Sequence, residues 1–237
     1  MADTTQGANG SFMEKYLTPI AVIVGALIIA GAFAFGGAGG TGLGNQPAAP
    51  VAVDINDVDI TGDPFIGAAD APVVMAYWFD YQCPFCKQFE QTTMQELYTN
   101  YVATGKLKIV IQDFQFLGPD SDDAALFARA VWEAHPDRFY DWFKAMFEAQ
   151  DEEHGGFGDA DSIEALTRTI PGIDTDRVLA LIDEKKSEYQ AAIAADRAEG
   201  QSFGINGTPA MIVGTSMFSG AQPYSAIAPA IDAELAK

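Results

Sequence analysis

The only two cysteines of the chain, Cys83 and Cys86, stand either side of Pro84 and Phe85. Two thiols at this spacing can close into a disulfide and open again, so they can trade electrons with other thiols. The residues before them, Val73 to Phe79, form an unbroken apolar and aromatic run, the pattern of a strand buried on both faces. After them the period changes. Phe89, Met94, Leu97, Tyr98, Tyr101 and Val102 recur at three- and four-residue steps, which predicts an amphipathic helix. The thiols therefore fall where a strand ends and a helix begins. Unpaired amides and the dipole at a helix N-terminus stabilise negative charge, and a cysteine there carries more of the nucleophilic thiolate. Pro84 suits the first helical turn, where its missing N–H is not needed. Cys83 is expected to be the exposed attacking thiol, with Cys86 one turn deeper as its resolving partner.

Two other uses of the pair have to be weighed. A static staple across so short a loop removes little chain entropy. Zinc usually takes four ligands. The chain has no second cysteine pair, and its two histidines, His135 and His154, are not at finger spacing.

The stretch Phe79-Asp80-Tyr81-Gln82-Cys83-Pro84-Phe85-Cys86-Lys87-Gln88-Phe89 resembles the active-site signature of thioredoxin-fold thiol:disulfide oxidoreductases, specifically the membrane-anchored DsbA-like members. Far downstream, Phe203-Gly204-Ile205-Asn206-Gly207-Thr208-Pro209-Ala210-Met211-Ile212-Val213 is similar to a second family segment. The resemblance covers roughly Asp54 to the C-terminus. It implies an α/β thioredoxin fold with a helical insertion at about residues 121–200. It implies catalysis by Cys83 and Cys86, and a cis Pro209 whose loop faces them. The backbone of Thr208 would then be free to pair with an extended substrate. No cofactor or metal is implied. The partners would be polypeptides with free thiols or disulfides, and a membrane redox protein that resets the pair.

The sequence departs from the family pattern in one place. Many relatives carry a glutamate six residues before the first cysteine, a proton relay to the buried thiol, and Tyr77 stands there instead. Asp80 is nearer the turn and is the acid in reach of that role. Pro84-Phe85 lacks the histidine of the strongest oxidants. Asp80, Pro84 and Phe85 are thus candidate tuning residues. Formation of disulfides and the reverse, reduction or isomerisation, use the same residues and differ in potential. A tethered chaperone or binding module without redox turnover is the alternative from another class.

Composition narrows the partners. Thirty-three acids against 13 bases leave a formal charge of −20 over 237 residues. Nucleic-acid binding needs a basic surface, and docking on anionic lipid needs a polybasic patch, so both are excluded. Residues 1–16 are polar and read as a cytoplasmic tail. Residues 17–37 carry no charge, around Ile20-Ala21-Val22-Ile23-Val24, and are long enough for one transmembrane helix. Ala32-Phe33-Ala34 resembles a signal-peptide cleavage site, but the apolar run is longer than such peptides usually carry, which favours an uncleaved anchor. Lys15 alone sets the orientation, N-terminus inside, with the catalytic domain on the periplasmic or extracellular side, where disulfides persist. Residues 38–53, rich in Gly, Ala and Pro, read as a flexible tether. Residues 54–237 are the catalytic domain.

The elements that must position the cysteines follow in order. Val53 to Ile60 alternates like a short strand. Leu107 to Ile111 is a second long strand, and strand–helix–strand makes a parallel pair. Ser121-Asp122-Asp123 marks a helix N-cap. Helical stretches are expected at 124–135, 138–150, 162–169 and 175–199. Phe127, Val131, Trp132, Phe139, Trp142, Phe143, Met146 and Phe147 form the core of this insertion. Residues 210–213 and 217–219 form a hairpin, and a final helix carries Ile227, Ile231 and Leu235 on one face.

Overall fold

A computed structural model describes residues 53–152 and 155–237. The tail, the apolar segment 17–37, all but the last residue of the tether, and His154 lie outside the described residues. Among the described residues, no helix is long and apolar enough to cross a membrane.

One five-stranded sheet organises these residues, in the order β1-β3-β2-β4-β5. The strands are β1 (Phe65–Ile66), β2 (Val73–Phe79), β3 (Leu107–Asp113), β4 (Ala210–Val213) and β5 (Ser216–Ser219). β2 runs parallel to β3, with Tyr77 opposite Ile111 and Phe79 opposite Asp113. Its other neighbour, β4, is antiparallel, with Trp78 opposite Ala210. β2 is thus central, and only Val74 of its seven residues escapes full burial, which is why it reads as a continuous apolar run. The helices are α1 (Pro84–Gln91), α2 (Thr93–Leu97), α3 (Pro119–Ala134), α4 (Phe139–Ala149), α5 (Ala160–Thr169), α6 (Thr175–Ser202) and α7 (Tyr224–Leu235). This is a thioredoxin-like α/β fold with α3 to α6 inserted between β3 and β4.

Three expectations are corrected. The helix after the cysteines is not continuous. It breaks at Thr92, at φ −122° and ψ −84°. There the Thr92 hydroxyl donates to the Gln88 carbonyl at 2.7 Å, a local bond that competes with the helical ladder. α2 then widens into a turn of π-helix over Tyr98–Val102. The alternation at Val53 to Ile60 does not make a strand. Asp54 accepts a bond from the Asn56 amide and caps a 3₁₀ turn at Ile55–Asp57. The edge strand is instead β1, which pairs antiparallel with β3. Finally, α3 starts at Pro119 rather than at Ser121, because Gly118 takes φ 109° and the proline sets the first turn.

The insertion has no separate core. Phe127, Val131, Phe139, Trp142, Phe143, Met146 and Phe147 join Tyr77, Phe79, Tyr81, Cys86 and Phe89 in one buried cluster, against which Trp132 packs partly covered. Phe79 meets Phe143 at 5.2 Å between ring centroids. Tyr81 meets Trp142 and Phe147 at 5.6 Å each. Burying an aromatic of this size contributes on the order of 2–3 kcal/mol, so these rings bind the insertion to the face of the sheet that carries the cysteine strand.

On the other side of α3 a charged cluster does the same. Arg129 reaches Asp63 at 2.7 Å, Asp113 at 2.8 Å, and Asp196. All four are buried. They come from the loop before β1, the end of β3, α3 and α6. Gln112 and the Asp113 amide supply further donors, to Asp63 at 2.8 Å and Asp196 at 2.9 Å. One guanidinium serves three buried carboxylates, so its loss leaves all of them without their cation. Arg129→Ala is expected to destabilise the fold by about 3–5 kcal/mol, the usual cost of unpairing a buried charge. Urea unfolding measures it, and a loss below about 1 kcal/mol would refute the role given to the cluster.

Candidate active site

β2 ends on Phe79, and the chain turns over Asp80–Gln82 before Cys83 opens α1 as its N-cap. The turn is tied from inside. The Asp80 carboxylate is fully buried and accepts from Ser121 Oγ at 2.7 Å and from the amides of Gln82, Phe116 and Leu117 at 2.8, 3.0 and 3.3 Å. Burial raises its pKa, and these four bonds oppose the rise. The Asp80 carboxylate, named above as a candidate tuning residue, thus positions the turn. Its oxygens are committed to the loop after β3 and to the start of α3, and its backbone carbonyl accepts from the Cys83 amide at 3.1 Å. Ser121, expected as a cap, instead serves Asp80.

The insertion grips the turn from outside. Gln150, at the end of α4, donates from Nε2 to the carbonyls of Tyr81 and Cys83 at 2.6 and 3.2 Å. Its own carbonyl receives Lys87 Nζ. Gln82 reaches the Phe157 carbonyl at 3.4 Å. Gln150 lay hidden in the sequence, since one glutamine after a helix carries no signal. Only the folded contact gives it a part.

The second motif arrives from across the sheet. The Thr208–Pro209 bond is cis, immediately before β4. Cys83 Sγ donates to the Thr208 carbonyl at 3.5 Å. The structure therefore brings Cys83, Cys86, Thr208 and Pro209 together. Both cysteines are free thiols. Cys83 is not the exposed thiol expected: it keeps 4% of its surface and Cys86 keeps none. The Thr208 loop covers Cys83, and the large exposed side chain beside it is Phe85, at 61%. The access that remains belongs to Cys83 alone.

The two thiols are driven apart electrostatically. Hydrogen bonding from the Cys86 thiol lowers Cys83 to about 6, burial opposes this, and the Thr208 side chain and the Cys86 and Phe85 amides add to the lowering. The Thr208 hydroxyl is buried and meets no partner at hydrogen-bond geometry, so its capacity is free for a charged sulfur. Burial pushes Cys86 well above the usual thiol range, and the neighbouring Cys83 sulfur pushes it further. One sulfur is thus a thiolate at neutral pH and the other a thiol, the division of labour that disulfide exchange needs.

Beneath them lies a group that sequence reasoning missed. Glu90 is 4% exposed and sits one turn after Cys86 on the same face of α1. A signal for it existed. Cys86, Phe89 and Glu90 share the buried stripe of α1, and a carboxylate on such a stripe requires a reason.

Comparison with known proteins agrees with this geometry. The family model described as Thioredoxin matches residues 59–233. Disulfide bond formation protein D of Bacillus subtilis is 27% identical over 176 residues, 74% of this chain and 78% of that protein. The crystal structure of oxidised BdbD from Bacillus subtilis superposes with a TM-score of 0.70 at 26% identity, covering 79% of this chain and 99% of that one. The thiol-disulfide exchange protein alpha-DsbA2 from Wolbachia pipientis superposes with a TM-score of 0.65 at 27% identity, over 73% and 87% of the two chains. A family match that spans both the cysteine turn and the proline loop leaves one conclusion: the chain belongs to the thioredoxin family, as a DsbA-like thiol:disulfide oxidoreductase.

Proposed function

We propose that this oxidoreductase works as an oxidant, passing the Cys83–Cys86 disulfide to exported polypeptides from a domain tethered outside the cytoplasmic membrane by residues 17–37. The asymmetry of the two thiols carries the reading. A substrate thiolate attacks Cys83, the one sulfur with residual access, and Cys86 leaves. A second substrate thiolate then attacks the substrate's own sulfur in the mixed disulfide and expels Cys83. A thiol with a pKa of about 6 is a good leaving group. A stabilised thiolate also favours the reduced pair, which makes the disulfide oxidising. The name of the Bacillus subtilis relative, disulfide bond formation protein D, supports the same direction.

Substrate contact falls to Thr208 and Pro209. Main-chain bonds beside the cysteine accept an extended peptide with little sequence preference, and exposed Phe85 offers an apolar neighbour. A membrane redox protein would reoxidise the pair. The uncharged run at 17–37 and the glycine-rich stretch after it support anchoring, with reach set by the tether.

Cys83→Ala is expected to abolish oxidation of a reduced two-cysteine peptide, and Cys86→Ala, left with no disulfide to pass on, to abolish it as well. Full turnover by Cys83→Ala would end the enzymatic assignment. Titrated against glutathione, the full chain should have a potential more positive than the roughly −270 mV of thioredoxin; a value at or below that would reverse the direction. The pH dependence follows from the cited shift. Cys83 is lowered, so the stability its thiolate lends the reduced protein is fully present above the ordinary thiol value and is lost as pH falls through about 6. Iodoacetamide labelling of the reduced chain should accordingly rise with a midpoint near 6 at Cys83, while Cys86 stays unlabelled. A midpoint near 9 would remove the electrostatic basis of the reading.

A further inference from the structure

A cavity of about 330 Å³ lies between α3, α6 and the loop after β3, and the thiol chemistry makes no use of it. Leu126 of α3 and Ile193 and Ala194 of α6 give it apolar walls. Asp122 and Arg197, both exposed, complete the rim, and Gln115 lines it from the loop. Gln115 is the unusual member, because it keeps only 3% of its surface. Its Nε2 donates to Asp113 Oδ1 at 3.0 Å. Only the amide nitrogen can face that carboxylate, since the oxygen would be repelled, so the amide has one orientation. Oε1 is left at the other end, and among the described residues it is buried without a donor. A buried amide oxygen is costly to leave unmet, and this one belongs to the wall of a cavity.

The cavity shares a wall with the cysteine turn. Phe116 and Leu117 directly follow Gln115, and their amides bond to one Asp80 oxygen at 3.0 and 3.3 Å. Asp122 directly follows Ser121, whose hydroxyl bonds to the other Asp80 oxygen at 2.7 Å. Phe116 is 45% exposed. Its ring lies 6.1 Å from that of Phe114, and the Arg197 guanidinium sits 5.8 Å over the Phe114 ring. Exposed apolar surface at Phe116 therefore stands between the turn that carries Cys83 and the cavity.

We propose that this cavity is a second contact for polypeptide substrates, taking a tyrosine or tryptophan side chain whose O–H or N–H is donated to Gln115 Oε1. The inference rests on the substrate contact proposed above for Thr208 and Pro209, and deepens it. Chemistry selects the occupant. A phenylalanine or leucine suits the apolar walls but leaves Oε1 without a donor. A lysine or arginine brings a charge to one neutral acceptor in a buried site, beside the Arg197 cation. An ionised aspartate or glutamate turns acceptors toward an acceptor. Tyrosine and tryptophan combine a large apolar body with a single neutral donor.

The volume is at the small end of the range for ligand cavities and suits one such ring rather than a longer segment. Water can supply the same hydrogen bond, but it leaves the apolar walls wet, and covering them is what favours a ring. The contact also adds a preference. Main-chain bonds beside Cys83 discriminate little between sequences. Tyrosine and tryptophan side chains are largely covered in folded proteins, so a site for them favours chains that are still unfolded, the ones whose cysteines are not yet paired.

The test follows the Leu126 and Ile193 methyl groups of the full chain by NMR as N-acetyltyrosinamide, N-acetyltryptophanamide or N-acetylphenylalaninamide is added. The first two should shift both residues saturably. The phenylalanine compound should bind about five- to ten-fold more weakly, the worth of one neutral hydrogen bond. Ala194 is exposed on α6, and Ala194→Trp, whose ring fills the cavity, should abolish the shifts. No shifts in the wild type, equal affinity for the tyrosine and phenylalanine compounds, or shifts that survive in Ala194→Trp would each overturn the proposal. Turnover gives a second readout. Reduced two-cysteine peptides with tyrosine at successive positions on either side of the cysteines are compared with their phenylalanine counterparts. At one or more positions tyrosine should lower KM about five-fold at equal kcat, and Ala194→Trp should return that ratio to one. A ratio of one at every position in the wild type would overturn the proposal as well. The wild-type comparisons stand even where Ala194→Trp fails to fold. A wild type that reduces the disulfide forms of these peptides and oxidises none of them would overturn the oxidant direction alone, and the same KM ratio is then read in the reducing direction.

Discussion

Charge on one sulfur and its denial to the other is the constraint that the rest of the domain serves. The sulfurs are one helical turn apart, so a uniform environment would treat them alike. The fold makes the environment steep instead. Cys83 sits at the mouth of α1, among amides that point at it and beneath the Thr208 carbonyl. Cys86 sits a turn deeper, in a core lined by Tyr77, Phe79 and Phe89. Helix-end amides stabilise anions over about one turn, and the step from Cys83 to Cys86 spends that whole range.

A steep environment needs rigid walls, and they come from every part of the chain. β2 drives the turn upward from the centre of the sheet. Asp80 nails the turn to the loop after β3 and to Ser121. Gln150 clamps the turn's carbonyls from the insertion. β4 delivers Thr208 and Pro209 from the far side. The insertion is therefore a structural member of the active site. Its aromatic stack against Phe79 and Tyr81, and the ion cluster around Arg129, hold α3 to α6 close enough for Gln150 and Phe157 to reach the turn.

Much of this is legible in the residues, and the exceptions share a cause. β2, β3, β4 and the insertion helices announce themselves because burial imposes a period on whole segments. The cysteine turn is legible because strand, CxxC and proline fix a local geometry. What stays hidden depends on one side chain meeting another far away in sequence. Thr92 breaks a helix that its periodicity would continue, through one bond to Gln88. Asp54 converts an alternating stretch into a 3₁₀ turn by capping it. Asp80 looks like an acid near a thiol, yet its partners are at Phe116, Leu117 and Ser121. Cys83 looks exposed from its place at a helix start, yet the Thr208 loop lies over it.

Glu90 falls between these cases, and its sequence context shows how such groups are found. Its neighbours on the helix stripe are Cys86 and Phe89, both buried, so its own burial follows from period alone. What period cannot say is why an unpaired carboxyl is kept there. A buried carboxyl without a hydrogen-bond partner costs stability whenever it is ionised, and a glutamine of the same shape would avoid that cost.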